Sequence, residues 1–375
     1  MPLPVSREDF AVVKTYKIVV LPGDGIGPEI MEGALELLEG VQQRLGNFRL
    51  EYDFRKAGAA YYQESGEPIA QETLQAIQEA HAILKGPAGL PQVRKPDGTE
   101  AGLVGGMLRI GFDLYVNLRP IRLFPNTSNP LKGKMADDID YLFLRENTEG
   151  LYISRGVGIV TDQAAMDTLL LTRKGCERIS RFAFNLALQK KKGAPEDGEK
   201  RVTLVEKSNI LRSFAFFRKI FLGVAEEMPE IDAECLYADA AAAALITRPE
   251  HFQVVVTENM FGDILSDLAG ATVGGLGMCP SANMGDRLAY FEPIHGSAPD
   301  IAGKNVANPI SQMRAAAMML DYLGEKEAAE VIEETIWQAL EKERFRMTPA
   351  GCIEGGMRKA VEALKDELER SCENI

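Results

Sequence analysis

Apolar positions recur along the chain in two alternating registers. A β-branched run, YKIVVL (16–21), gives way to an amphipathic stretch from Pro28 to about Arg44, then to FRLEYDF, a helix-period segment at 70–80 and AILK. The alternation resumes with strand-like runs DLYVNL (113–118), DYLFLR (140–145), VTLVE (202–206) and FQVVVTEN (252–259). Helix-like segments at 173–191, 211–227 and 261–272 fall between or after them, and the last ~65 residues read as consecutive helices by their alanine, leucine and glutamate content. Strands and helices in this order predict an α/β chain with a largely parallel sheet.

Two stretches interrupt the rhythm, GPAGLPQVRKPDGTEAGLVGG (86–106) and KKGAPEDGEK (191–200), both rich in turn formers. The second reads as a solvated loop. The first is long for a compact domain, and loops of that length are more often functional than decorative. A third stretch, EPIHGSAPDIAGKNVANP (292–309), packs turn residues so densely that it predicts an irregular ligand-binding loop leading into a helix.

Composition narrows the function classes. The chain has 375 residues, 46% hydrophobic and 26% charged, enough for one large or two ordinary domains. Its opening, MPLPVSREDF, lacks the apolar core of a signal peptide, and no run approaches the ~18 apolar residues of a membrane span, so a cytoplasmic protein is expected. A formal charge of −13 disfavours nucleic acid or an acidic membrane as partner, and an anionic substrate would need locally clustered arginines. Cys176, Cys235, Cys279, Cys352 and Cys372 are scattered without a C-x-x-C pair, which indicates neither a zinc site nor a disulfide framework.

Several motifs supply candidate chemistry. PGDGIGPE (22–29) follows a strand and enters a helix at Pro28, so free backbone N–H groups there could meet an anion, although the spacing lacks the third glycine of a dinucleotide fingerprint. Arg109 in GGMLRIGF, Arg119 in NLRP and Arg145 in LRENTEGLY are candidates for bidentate carboxylate binding, against a surface ion pair for any one alone. In MFGDILSDLAG, Asp263 and Asp267 share one helix face, where two carboxylates repel unless a cation lies between them; oxygen-only ligation suits Mg²⁺ or Mn²⁺. Asp239 stands at a strand-to-helix junction, as a third carboxylate or a simple helix cap. Lys207 in VEKSNIL ends a strand, as a cleft base or a solvated lysine, and nothing local distinguishes Tyr152 as an acid from an ordinary half-buried tyrosine.

In this order, PGDGIGPE, Arg109 with NLRP ten residues on, RENTEGLY, EKSN, FGDILSD and HGSAPDIAGKNVANP resemble the β-decarboxylating dehydrogenase family of isopropylmalate, isocitrate, homoisocitrate and tartrate/malate dehydrogenases, from about residue 16 to 365. The resemblance implies a two-domain α/β fold distinct from the usual Rossmann fold. Residues 1–114 with 274–375 would form a large cofactor-binding domain, and 115–273 a central substrate, metal and dimerisation domain. It also implies a homodimer with shared active sites. Arg109, Arg119 and Arg145 would clamp substrate carboxylates, Asp263 and Asp267 would hold the metal with Asp239 of the other subunit, Lys207 of the other subunit would act as base, and Tyr152 as acid. Glu292, His295, Gly296, Ser297, Ala298, Asp300, Ile301 and Asn308 would line the cofactor. Asp300-Ile301 stands where NADP-using members carry lysine and tyrosine, and a carboxylate there would repel a 2′-phosphate, so NAD is expected.

The chain departs from the family in two places. The resemblance implies that substrate choice is read upstream of Arg109, where this sequence has Leu103-Val104-Gly105-Gly106-Met107-Leu108: Leu103 and Gly105 stand where isocitrate enzymes place serine and asparagine, and Gly106 where homoisocitrate enzymes place arginine, so Leu103 and Gly106 are expected to line the substrate. With no polar or cationic group in that stretch to meet a third carboxylate, the expected substrate is 3-isopropylmalate or a related alkylmalate, with D-malate/tartrate or isocitrate/homoisocitrate as alternatives. The second departure is ADAAAAAL (238–245), where the family has polar side chains beside the metal aspartate. A non-catalytic regulatory subunit of the same fold is the alternative from another class. Such subunits tend to lose the tyrosine, lysine or metal aspartates, all of which are present here.

Overall fold

The computed structural model describes residues 13–96 and 98–370; the opening decapeptide and Cys372 lie outside the described residues. The chain starts with β1 (Lys14–Leu21), α1 (Gly27–Leu45) and β2 (Phe48–Phe54). Pro28 sits in the first turn of α1, where its missing N–H costs nothing, and Gly46 closes the helix in the left-handed conformation. α2 (Ala59–Ser65), α3 (Gln71–Glu79), β3 (Ala82–Lys85) and α4 (Val104–Gly111) follow. The middle of the chain gives β4 (Val116–Arg122), β5 (Asp140–Glu146), a hairpin of β6 (Ile159–Val160) and β7 (Ala165–Met166), α5 (Arg173–Gln189), β8 (Arg201–Glu206), α6 (Arg212–Ala225), β9 (Asp232–Tyr237), α7 (Ala238–Thr247), β10 (Val254–Thr257) and α8 (Asn259–Ala271). It ends with β11 (Pro280–Met284), β12 (Ala289–Pro293), α9 (Ile310–Tyr322), α10 (Lys326–Glu341) and α11 (Met357–Arg370).

Ten strands form one sheet in the order β2-β1-β3-β12-β11-β4-β5-β10-β8-β9. Strands from the two ends of the chain fill one half, and strands from its middle fill the other. The outer strands run parallel, as the alternation predicts, but the centre does not: β11 is antiparallel to both β12 and β4, and β4 to β5. β11 and β12 escape a hydrophobic pattern, because their alternation of small, polar and aromatic residues carries little apolar signal.

The strand expected at 113–118 starts at Val116, because Asp113 takes a positive φ of 49° in the turn after α4. It also runs on through Pro120. The β11 ladder covers only Val116–Leu118 on that side, so the proline stands where no second N–H is required. The loop expected over 86–106 ends earlier, since α4 begins at Val104 despite the Gly-Gly pair and carries Arg109. The larger apolar core packs α1, α7, α8 and α9 to α11 against the sheet, and a second core packs α5 and α6, with Phe184 and Phe221 in ring contact at 5.2 Å. Among the described residues no helix is long and apolar enough to cross a membrane.

Candidate active site

Arg119 on β4, Arg145 on β5 and Asp263 and Asp267 on α8 meet above the centre of the sheet. Their closeness depends on Gly262, because a Cβ there would lie 2.5 Å from the Arg145 side chain. Both guanidiniums are buried, whereas Asp263 and Asp267 are 38% and 48% exposed, so the charged wall opens outward. Arg145 ion-pairs with Asp263 and donates to Asn259 Oδ1 at 2.8 Å. Arg119 donates to Asp267 Oδ1 at 2.9 Å, to Ser266 Oγ at 2.7 Å and to Asn117 Oδ1 at 2.8 Å. Tyr152, in a short 3₁₀ turn (Leu151–Ser154), donates its hydroxyl to Asp263 Oδ2 at 3.1 Å, and the Arg145 guanidinium stands 5.6 Å from its ring centroid.

Electrostatics follow from this crowding. Burial, then the like charges of Arg109 and Arg119, pull the Arg145 pKa down to about 9, still well above neutrality, so it remains a cation that gains from any added anion. Burial pushes the Asp267 carboxyl up; Arg119 opposes the shift and Asp263 reinforces it. Two part-exposed carboxylates four residues apart on one helix face form an all-oxygen donor pair, and this donor set fits a hard divalent cation. Burial and the Asp263 carboxylate also raise the Tyr152 hydroxyl pKa, which keeps its proton in place.

Arg109 leans away from this pair. It donates to Asn283 Oδ1 at 3.0 Å and Tyr290 OH at 2.8 Å, and its Nη2 lies 3.2 Å from Glu292 Oε1. Glu292 accepts from Lys85 at 2.6 Å, and despite its burial Lys85 and Arg109 hold its pKa down at about 2. Asn283 Oδ1 also accepts from Asn117 and Asn147. This buried network of Lys85, Asn117, Asn259, Ser266, Asn283 and Tyr290 escaped the sequence reading. Its one signal is polar residues two apart on a buried strand, Ser281 with Asn283 and Tyr290 with Glu292.

Lys207 and Asp239 form a separate pair, with Lys207 Nζ 2.6 Å from Asp239 Oδ1, and this contact lowers the aspartate's pKa. Neither ion-pairs with the Arg119, Arg145 and Asp263 group, and among the described residues no three His, Cys, Asp or Glu side chains converge within one chain to hold a metal. In the alanine run beside Asp239, Ala241 and Ala244 are buried in the large core, whereas Ala240 and Ala243 are exposed and have no packing reason to be alanine.

The residues expected to line a cofactor follow β12. Glu292, next to last in that strand, holds the ion pairs just described, His295 Nδ1 lies 2.9 Å from Gly296 O, and desolvation lowers the imidazole pKa. Ser297 donates to Gly89 O at 2.5 Å, joining this loop to the 86–103 loop. Ala298 is left-handed at φ 39°, Gly296 and Asp300 are exposed, Asp300 and Ile301 form a single 3₁₀ turn, and Asn308 Oδ1 accepts from Ile310 N at 3.0 Å. The PGDGIGPE turn differs from expectation. Its Asp24 and Ile26 N–H groups donate to Pro87 O and Ser297 O, each at 2.8 Å, so they are spent on neighbouring loops and not free for an anion.

A model of the family described as isocitrate/isopropylmalate dehydrogenase matches residues 17–350. The chain belongs to the isocitrate/isopropylmalate dehydrogenase family. It is 42% identical over 327 residues to the 3-isopropylmalate/3-methylmalate dehydrogenase of Methanocaldococcus jannaschii, covering 87% of this chain and 91% of that one. It is also 42% identical over 330 residues to the NADP isocitrate dehydrogenase of Thermus thermophilus, covering 87% of this chain and 62% of that one. A crystal structure of isocitrate dehydrogenase from Methylococcus capsulatus superimposes with a TM-score of 0.82 at 36% identity, over 94% of this chain and 99% of that one. The fold is therefore that of the family, and family and relatives together indicate a decarboxylating dehydrogenase.

Proposed function

We propose that the protein catalyses the NAD-linked, Mg²⁺- or Mn²⁺-dependent oxidation and β-decarboxylation of a 2-hydroxy dicarboxylate, in a cleft between residues 1–114 with 274–375 and residues 115–273. The observation that carries this reading is the convergence of Arg119, Arg145, Tyr152, Asp263 and Asp267 on one open wall. When bound, the divalent cation supplies Lewis-acid polarisation of substrate oxygens and the nicotinamide supplies the hydride acceptor. Asp263 and Asp267 would hold the cation. Arg119 and Arg145, with Arg109 beside them, bind and orient the substrate carboxylates. Lys207 takes the proton of the C2 hydroxyl, and Tyr152 returns a proton at C3 after carbon dioxide leaves.

Within one chain Lys207 and Asp239 stand apart from the wall they would serve, so this reading includes a homodimer in which each cleft is completed by the partner subunit's Lys207 and Asp239. The exposed apolar side chains Val157, Ile159, Val160 and Met166 of the β6–β7 hairpin, and Ile246 and Ile264 of α7 and α8, are the surface such a dimer would cover. Asp300 supports NAD over NADP by repelling a 2′-phosphate. The 3-isopropylmalate/3-methylmalate dehydrogenase among the relatives and the apolar stretch 103–108, taken alone, favour an alkyl substituent at C3.

The test is NADH formation by purified dimer with Mg²⁺ or Mn²⁺ across 3-isopropylmalate, isocitrate, homoisocitrate, D-malate and tartrate, each repeated with NADP. Lys207→Met should cut kcat by at least about 100-fold while the melting temperature and dimer stay unchanged. A variant with near-native turnover would remove Lys207 from that role, and failure of all five acids would sink the reading itself.

A further inference from the structure

Gly106 lies on α4 three residues before Arg109, and therefore on the same helix face. Against it rests a guanidinium from a distant part of the chain. Arg155 Nη1 is 3.1 Å from the position a Cβ would take at Gly106, a contact tighter than side chains ordinarily make, so the missing side chain is what lets the cation lie on the helix. Arg155 directly follows the 3₁₀ turn carrying Tyr152, and its N–H donates to Tyr152 O at 3.2 Å. That turn is pinned on its far side: Ser154 Oγ donates to Thr168 O at 2.8 Å and accepts from Thr168 N at 2.7 Å. The cation thus stands on a fixed backbone beside Tyr152.

The charge pattern of the cleft sets Arg155 apart. Arg119 faces Asp263 and Asp267, Arg145 faces Asp263, and Arg109 faces Glu292. Among the described residues Arg155 makes no ion pair and no side-chain hydrogen bond. From this geometry we infer that Arg155 is a specificity-determining residue that reads the C3 substituent, and that this substituent ends in a third carboxylate. The inference rests on the cleft assignment above and replaces the alkyl group that residues 103–108 alone favour. A guanidinium fork binds a carboxylate through two parallel hydrogen bonds, whereas an alkyl group in the same place would strip water from the cation and return nothing.

The test compares acids that share the 2-hydroxy dicarboxylate core and differ at C3: isocitrate, 3-isopropylmalate and D-malate. Calorimetric titration of the dimer with Mg²⁺ and without nucleotide reads binding apart from chemistry; NADH formation is then measured on the same proteins. Wild type should bind isocitrate at least about 10-fold more tightly than 3-isopropylmalate, and Arg155→Met should lose about 10- to 100-fold in isocitrate affinity, with a change under about threefold for 3-isopropylmalate. Gly106→Leu, which keeps the arginine but displaces it, should shift the preference in the same direction. Wild type preferring 3-isopropylmalate or D-malate, or Arg155→Met weakening all three acids equally or none, overturns the inference while leaving the proposed oxidative decarboxylation in place. If folded wild type neither binds nor oxidises any of them, the function proposed above fails and this inference fails with it.

Discussion

Where β5, β10 and β8 stop, each strand ends in or runs directly into a buried glutamate whose carboxylate accepts from backbone N–H groups of the next turn. Glu146 takes Thr148 N at 3.0 Å and Glu149 N at 2.6 Å, Glu258 takes Met260 N at 3.0 Å and Phe261 N at 2.8 Å, and Glu206 takes Ser208 N. Where β1 and β3 stop, the turns press backbone on backbone. A Cβ on Gly23 would lie 2.0 Å from Pro87 O, on Gly86 2.1 Å from Pro22 O, and on Gly25 1.9 Å from Ser297 O. The glutamate rim carries side chains of the candidate chemistry, since Arg145 precedes Glu146, Lys207 follows Glu206 and Asn259 follows Glu258. The glycine rim brings main chain close to main chain beside the 292–309 loop. A carboxylate cap fixes a turn yet leaves the neighbouring position open to any side chain; backbone contact excludes a side chain at the glycine itself, and Asp24, between Gly23 and Gly25, is the one carboxylate of that turn, accepting from Ala59, Ala60 and Gly89 N–H groups.

The largest expected effect probes the exception, Glu292, a buried carboxylate of the glycine half that pairs with cations instead of N–H groups. Glu292→Gln leaves Lys85 and Arg109 buried with an uncompensated charge and should cost about 3–5 kcal/mol in denaturant unfolding. Because its folded pKa is depressed to about 2, the wild-type contribution is fully present above the ordinary carboxylate pKa and is lost as pH falls from there towards about 2. The variant should lack that part of the acid limb. Next comes Gly25→Ala, which adds a Cβ at φ +58° against a carbonyl and should cost about 2–4 kcal/mol, read in the same way. Glu206→Ala, which strips the Ser208 N–H of its acceptor, should cost about 1–3 kcal/mol. The smallest effect is in pH slope. Burial raises the pKa of Glu146 and Glu258, so the folded state holds their protons longer, and their ionisation lowers stability as pH rises from the ordinary carboxylate value through the raised one. Glu146→Gln should flatten that decline in a melting-temperature profile, opposite in sign to the effect at Glu292; equal slopes in variant and wild type would remove the distinction between the two rims.

Much of this was legible from the residues. Long amphipathic helices such as α1, α5 and α10 announce themselves by period, and β1, β8 and β10 by β-branched runs. Asp263 and Asp267 were readable as a pair because four residues of helix put them on one face, and the structure adds that Gly262 is what brings them to Arg145. The centre of the sheet was not legible, since β11 and β12 present Ser281, Asn283, Tyr290 and Glu292 inward, and a buried polar strand looks like a loop to a hydrophobic pattern. Nor was Arg155 beside Gly106: 49 positions separate them, and only the tertiary fold gives a local glycine its distant neighbour.

The isolation of Lys207 and Asp239 from the aspartates of α8 has a consequence for mixtures of subunits. In the proposed dimer, a chain disabled at Lys207 and a chain disabled at Tyr152, each inert as a homodimer, would restore one working cleft when co-expressed. That cleft would draw its tyrosine from one parent and its lysine from the other, so two chains inactive alone would complement each other in one assembly.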